Sequence, residues 1–273
     1  MKKIGILFLG LISAFSFSQN TRFVYQVSMK TDSTAAPKIE NAYLDISTEK
    51  SIFYGEKRMK RDSTIRQAME TRNFNFDRNS MEQFRTAITY SIEKNHATKT
   101  ISYKDRIARD QYWYDEDRTF NWKILPETVK IGEYETQKAE TTFAGRKWFA
   151  WFTQDLPFID GPYKFSGLPG LIVKVEDEKG DYSFDLKETK KIAELPNFES
   201  RFGNNIKVKR SEFLKQQEKF NKDPMSLFQN QGGGFAMRMG GNQNPQNEAE
   251  RRKMMEERLK EEAKANNNPL EKN

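Results

Sequence analysis

Short apolar pieces recur from Arg22 onward, between positions 84 and 124 at intervals of roughly ten residues, and most alternate apolar with polar side chains. Phe23, Tyr25, Val27 and Met29 fall on one side of a strand, and Ala42, Leu44 and Ile46 repeat the pattern. Residues 52–54 are a shorter apolar piece. Residues 84–92 carry Ile88, Tyr90 and Ile92 in alternation, and the pairs Ile101/Tyr103, Tyr112/Tyr114 and Trp122/Ile124 follow. A period of two marks a half-buried strand, and evenly spaced strands of this kind join into an antiparallel meander. The expected fold is mainly β, with α+β as the alternative. It is a single curved antiparallel sheet or incomplete barrel with one or two packed helices, plus a charged C-terminal helix.

The middle of the chain is its most aromatic part. Residues 133–143 read as a strand, Ala144-Gly145-Arg146 as a turn, and residues 147–153 as the returning strand. Trp148, Ala150 and Phe152 share one face of that strand, and Phe149 and Trp151 the other. Apolar residues on both faces predict a strand that is covered on both sides or borders a cavity. The stretch "YKFSGLPGLIVKVED", residues 163–177, then sets Gly167, Pro169 and Gly170 close together. Proline fixes φ near the value that position i+1 of a turn needs, and glycine supplies a positive φ at i+2. The stretch therefore predicts a type II turn at Leu168-Pro169-Gly170-Leu171, with Gly167 adding freedom ahead of it. Leu171, Val173 and Val175 leave the turn as a strand, and Tyr182, Phe184 and Leu186 return.

The two ends have a different composition. Lys2 and Lys3, an apolar run over residues 4–12 and small residues at Ser16 and Ser18 form a secretory signal over residues 1–18, so the mature chain is expected to begin at Gln19. No later apolar stretch is long enough to span a bilayer, so no transmembrane segment is expected after cleavage. The chain contains no cysteine, which excludes disulfides, thiolate chemistry and lipoprotein processing. The formal charge of +7 is a modest basic excess, and export further disfavours a nucleic-acid partner. Residues 56–72 read as a weak helix or a loop. Ser211 is a candidate N-cap for a helix through Phe220 that Asp223-Pro224 would stop. Residues 19–224 form the expected β-rich domain, residues 225–247 a disordered Gly/Gln/Asn-rich linker, and residues 248–273 a charged, solvated helical tail with Glu248/Arg252 and Glu256/Lys260 at helix-stabilising spacing.

"GLPGLI", residues 167–172, resembles the signature of the GLPGLI family of exported bacterial proteins. The run "AGRKWFAWFTQDLPFIDGPYKFSGLPGLIVKVED", residues 144–177, is similar to the family core throughout, and "KFNKDP" near Asp223 also resembles it. The resemblance extends over about residues 20–225 and leaves the tail unexplained. It implies an exported β-rich protein and carries no assigned catalytic residue.

Candidate chemistry is sparse. His96 is the one histidine, which excludes a His-rich metal site. Ser166 lacks the glycine two positions earlier that a nucleophile elbow requires, because Lys164 stands there. Asp155 and Asp160 flank a Leu-Pro-Phe bend and could pair as in a glycosidase, although Asp in such bends more often caps local backbone. Glu176, Asp177, Glu178 and Asp181 surround a hairpin tip without the order of a calcium loop. No catalytic residue, metal or cofactor is assigned. The aromatic cluster Trp148, Trp151, Phe152, Phe158, Tyr163 and Phe165 is either core or a ligand groove, with Gly167, Pro169 and Gly170 as its structural turn. The function expected is that of an exported, non-enzymatic cell-envelope protein binding a hydrophobic or extended ligand on a curved sheet. A lipid, a peptide or a glycan would suit. The alternative is a structural or accessory protein of an outer-membrane system, with a filled core and no ligand.

Overall fold

The alternating pieces pair edge to edge into one sheet. The structure, a computed structural model, describes residues 20–73, 83–198, 203–223 and 245–272, without some side chains of the last helix. The expected signal over residues 1–18 and most of the expected linker lie outside the described residues. The strands are β1 (Asn20–Met29), β2 (Lys38–Ile46), β3 (Lys50–Gly55), β4 (Ser91–Asn95), β5 (Ile101–Ile107), β6 (Asp110–Asp115), β7 (Lys123–Ile131), β8 (Tyr134–Phe143), β9 (Arg146–Thr153), β10 (Leu171–Asp177), β11 (Tyr182–Ile192) and β12 (Asn205–Lys207). Their order is β12-β6-β5-β4-β3-β2-β1-β11-β10-β9-β8-β7. Two antiparallel meanders, β1–β6 and β7–β11, meet where β1 pairs with β11. The sheet stays open, with β12 and β7 at its edges. Short β12 runs parallel to β6, so the sheet is mixed rather than purely antiparallel.

Register carries the core across the sheet. Phe23 faces Leu44, Leu44 faces Phe53, Phe53 faces Ile92, Ile92 faces Tyr103, and Tyr103 faces Tyr114. Residues directly opposite in a ladder share a face, so these six side chains form one apolar row. A second row runs Val27–Phe184–Val175–Ala150–Ala139 through the other half. The rings of Phe53 and Phe184 approach to 6.1 Å although β3 and β11 are three strands apart. A flat sheet would hold their backbones about 14 Å apart. The sheet therefore curls, and this face is the concave one.

The β9–β10 connection, residues 154–170, crosses the concave face and fills it. The Phe158 ring packs on Phe23, Tyr163 on Tyr90, and Phe165 on Trp148, the last pair at 4.8 Å. Lys94 of β4 donates from Nζ to Asp160 Oδ1 at 2.5 Å and to the Gly161 and Phe165 carbonyls, which anchors the connection to the opposite half of the sheet.

The turn at residues 168–171 is tighter than a type II turn. The Gly170 N–H donates to the Leu168 carbonyl at 2.8 Å, which closes a γ-turn centred on Pro169, and the Leu171 N–H goes to Leu156 instead. Gly170 has φ +147°, and a Cβ there would lie 2.7 Å from the Thr153 carbonyl carbon and closer still to its oxygen. Gly167, at φ +92°, meets open space. Gly170→Ala is therefore expected to cost more than about 2 kcal/mol, and Gly167→Ala about 1 kcal/mol. Urea denaturation of the two variants checks this, and equal costs would mean that backbone crowding at Gly170 is unimportant.

Several local expectations change. Residues 56–72 give a regular helix, α1 (Glu56–Thr71). The strand expected over residues 84–92 begins at Ser91, while Ile88 is fully buried ahead of it and packs on Gly55. The next helix is α2 (Arg210–Lys222), with Lys209 rather than Ser211 at its N-cap and no side-chain cap. Its Phe213 is buried against Tyr103 and Tyr114. The charged helix is α3 (Pro245–Lys264), which begins inside the expected linker. Glu256 and Lys260 pair at 2.6 Å along it, whereas the Glu248/Arg252 pair falls on undescribed side chains. Residues 266–272 return to the sheet, which the expectation of a wholly solvated tail did not include.

Candidate functional site

The six aromatic candidates divide between three environments. Trp148, Phe152, Tyr163 and Phe165 are 0–3% exposed and fill the concave face. The Trp148 indole N–H donates to the Phe143 carbonyl. Phe158 is half-buried against Phe23. Trp151 lies on the convex face, where Lys138 and Lys174, its partners on β8 and β10, set their ammonium groups 5.7 and 5.0 Å from its ring. Long lysine stems thus cover the second face of β9, in place of a helix or a cavity wall. Two surface depressions of about 190 and 400 Å³ lie at Tyr134–Leu186 and beside α2, and none of the six aromatic residues lines either.

The carboxylates do not assemble a catalytic pair. Asp155 is exposed, and Asp160 is buried as the partner of Lys94. His96 Nε2 lies 3.9 Å from Asp160 on the outer side of that pair. Burial works to protonate Asp160, but the charge of Lys94 and the hydrogen bonds from His96 and Lys94 together outweigh it and keep the carboxyl below its ordinary range. At the β10–β11 hairpin, Asp177 accepts the Tyr182 N–H and binds Arg146. Among the described residues no group of acidic and histidine side chains is arranged to hold a metal ion.

The structure brings together a different set, which composition and spacing did not single out. Lys164 is 0% exposed. Its Nζ donates to Glu116 Oε2 at 2.6 Å, to the Tyr114 hydroxyl at 2.9 Å and to Glu271 Oε1 at 2.6 Å, inside a ring of Tyr103, Tyr114 and Tyr163. The same carboxylate accepts from the Tyr163 hydroxyl and from Arg118 Nη2. Tyr163 sits at φ +53°, a conformation that costs a non-glycine residue roughly 1–2 kcal/mol. That backbone aims its hydroxyl at Glu271.

Beside this pocket, Arg146 is 4% exposed over the Tyr182 ring. It bonds Asp177 and Asp181 on one side and residues 268–270 on the other: Asn268 Oδ1 at 2.7 Å, the Pro269 carbonyl at 2.8 Å and the Leu270 carbonyl at 3.0 Å. Asn268 further donates to the Lys30 carbonyl and accepts from the Tyr182 hydroxyl, and Leu270 packs onto the main core. The Asn268 and Lys272 amides donate to the Thr31 and Ala144 carbonyls. A groove lined by buried charge thus holds one irregular peptide segment by its backbone, by the Asn268 amide and by a single carboxylate.

Burial favours the neutral form of Glu271, yet the charges of Lys164 and Arg118 and the bonds from Lys164 and Tyr163 hold its pKa below the ordinary value. For Glu116 burial is likewise outweighed, by the bond from Arg118 and the charge of Lys164, and its pKa falls to about 2. A carboxylate whose pKa is depressed on docking stabilises the docked state fully above its free value and loses that contribution as pH falls through the lowered one. Residues 266–272 should therefore stay docked at neutral pH, begin to loosen as pH drops below about 4.3, and lose the ionic anchor as pH falls on through the lowered value. Hydrogen exchange at the Asn268 and Lys272 amides across that range checks this. Protection that persists unchanged well below it would contradict the ionic anchor.

The sequence model of a family described as "Protein of unknown function (Porph_ging)" matches residues 141–174. That span includes β9, the connection over the concave face and the glycine-proline turn. No curated protein matches the chain. Two solved structures of PNGF-II superpose with TM-scores of 0.51 and 0.52 at 18% and 17% identity, each over 72% of this chain. The chain spans about a third of the length of the PNGF-II chains, 33% and 32%, so the likeness is one of fold. A LolA superfamily protein, NE2245 from Nitrosomonas europaea, aligns over 66% of this chain and 88% of its own at 10% identity, with a TM-score of 0.28. No helix among the described residues is long and apolar enough to cross a membrane.

Proposed function

We propose that the chain is an exported, non-enzymatic cell-envelope protein of the GLPGLI kind that holds a peptide against the concave side of its sheet. The residues that carry the GLPGLI resemblance, 167–172, fall inside the family match at residues 141–174. The observation that carries the reading is the groove at Lys164 and Arg146, where buried charged groups grip a peptide backbone and a carboxylate. Of the ligands the sequence allows, a peptide suits such a groove better than a lipid or a glycan, because successive carbonyls and one acid are what it contacts. The domain plan accompanies this reading: a signal over residues 1–18, a β-rich domain over 19–224, a linker over 225–247 and a tail over 248–273 that ends on the sheet. The periplasm, or the medium outside the cell, is its expected location.

A second reading has its own support. Trp148, Phe152, Tyr163 and Phe165 are packed as a filled core, which suits a structural or accessory protein of an outer-membrane system that takes no ligand.

Native mass spectrometry of protein recovered from the exported fraction tests the choice. The expected species starts at Gln19, carries no lipid or glycan, and gains mass as discrete peptide adducts when incubated with a digest of envelope proteins. A co-purified lipid or glycan would replace the peptide reading with that of a carrier. Absence of any adduct would leave the accessory reading in its place.

A further inference from the structure

We propose that the groove now roofed by residues 266–272 is a recognition site for an acidic peptide segment of the form Asn-Pro-Leu-Glu, and that the chain's own tail is its tethered, displaceable occupant. This deepens the peptide reading above and rests on it.

Three features point to a site rather than to a tail fixed in place. The first is that the floor stays paired when the tail leaves. Lys164 keeps Glu116 and the Tyr114 hydroxyl, and Arg146 keeps Asp177 and Asp181. Removing one partner of a buried pair is costly when it orphans the other charge. Here no charge is orphaned, so the empty groove remains preorganised.

The second feature is the type of contact. Arg146 reads an amide oxygen and two consecutive main-chain carbonyls, and three donors converge on one carboxylate. Contacts to backbone plus one specified side chain are how peptide-binding surfaces combine affinity with selection. Leu270 supplies the apolar contact, and Pro269 precedes it with a fixed φ that lowers the ordering cost.

The third is the tether. Docked residues 266–272 follow α3, a helix of 20 residues in whose sequence charged residues are the majority. They are joined to α2 by more than forty positions of sequence. A tethered occupant competes at an effective concentration that a free peptide must exceed, so it holds off a weak ligand and yields to a better one.

The test uses the full chain and a fluorescent synthetic peptide with the sequence of residues 264–273. Fluorescence anisotropy should show weak binding to the wild-type chain, where the tail competes. It should show at least ten-fold tighter binding to a full-length Glu271→Gln chain, whose own tail has lost its ionic anchor. On that variant, a peptide with Gln in place of its Glu should bind at least ten-fold more weakly. Adding Lys164→Met to the variant should shrink the difference between the two peptides several-fold, with Arg118 and Tyr163 still meeting the carboxylate. A thermal melt of each protein keeps the comparison to folded chains. For a Lys164→Met chain that does not fold, Arg118→Gln takes its place, because Arg118 meets the same carboxylate from the half-exposed side.

Equal affinity of wild type and Glu271→Gln, or equal affinity of the Glu and Gln peptides, would overturn the proposal. So would an absence of binding to both chains. Where the tail peptide fails but digest peptides still add to the chain, this inference falls and the broader peptide reading stands. Where neither adds, both fall.

Discussion

A chain ending after residue 265 is expected to melt about 5–15 °C below the full-length protein. The truncation removes the Glu271 carboxylate from Lys164, Tyr163 and Arg118, and it removes three acceptors from Arg146. Disrupting a buried pair costs roughly 3–5 kcal/mol when the remaining charge is stranded. Glu116, Asp177 and Asp181 remain as partners, which moves the expectation toward about 2–4 kcal/mol. Calorimetry of the two chains measures it. Substitution of Met254, which is 59% exposed on α3, should change the melting temperature very little by comparison. An unchanged melting temperature after truncation would mean that residues 266–272 contribute no net stability.

The second large effect separates the two tryptophans of β9. Trp148→Ala is expected to cost about 3–5 kcal/mol, the range for a fully packed aromatic. Its ring is buried against Phe165, its indole N–H is satisfied by Phe143, and the connection over the concave face leaves no room for collapse. Trp151→Ala should cost no more than about 1 kcal/mol, since its ring is partly exposed beneath two lysines. Denaturant titrations of both variants decide this. Similar costs at the two positions would contradict the assignment of one tryptophan to the core and the other to the lysine-covered face. A carrier of lipids would instead have Trp148 in a cavity, with a smaller cost and a fluorescence response to fatty acids.

The fold was legible where side chains alternate. Phe23, Tyr25, Val27 and Met29 reveal β1 because a period of two is a local property of the chain. Residues 84–90 misled, since Ile88 is buried and Tyr90 partly buried from an irregular segment that mimics the same period. The glycine-proline turn was legible in its need for glycine at 170 and not in its hydrogen bonding, because Thr153 and Leu156 decide that from the neighbouring strand end. The site was the least legible part. Glu271 meets Lys164 across 107 positions and Asn268 meets Arg146 across 122. No local pattern encodes such a pair, and "NNNPLEKN" reads as solvated tail on composition alone. One signal was available. Lys164 stands between Tyr163 and Phe165 in the most apolar part of the chain, and a lysine buried there requires a carboxylate from elsewhere.

On this proposal the groove exchanges one peptide for another. Hydrogen exchange of the full chain, with and without an excess of the acidic tail peptide, tests it most directly. Without peptide the Asn268 and Lys272 amides should be protected by the Thr31 and Ala144 carbonyls. At saturating peptide those two amides of the chain should lose protection, while amides within the β1–β11 ladder keep theirs. Protection at both positions that is unchanged by peptide would contradict the claim and mark residues 266–272 as a fixed part of the fold.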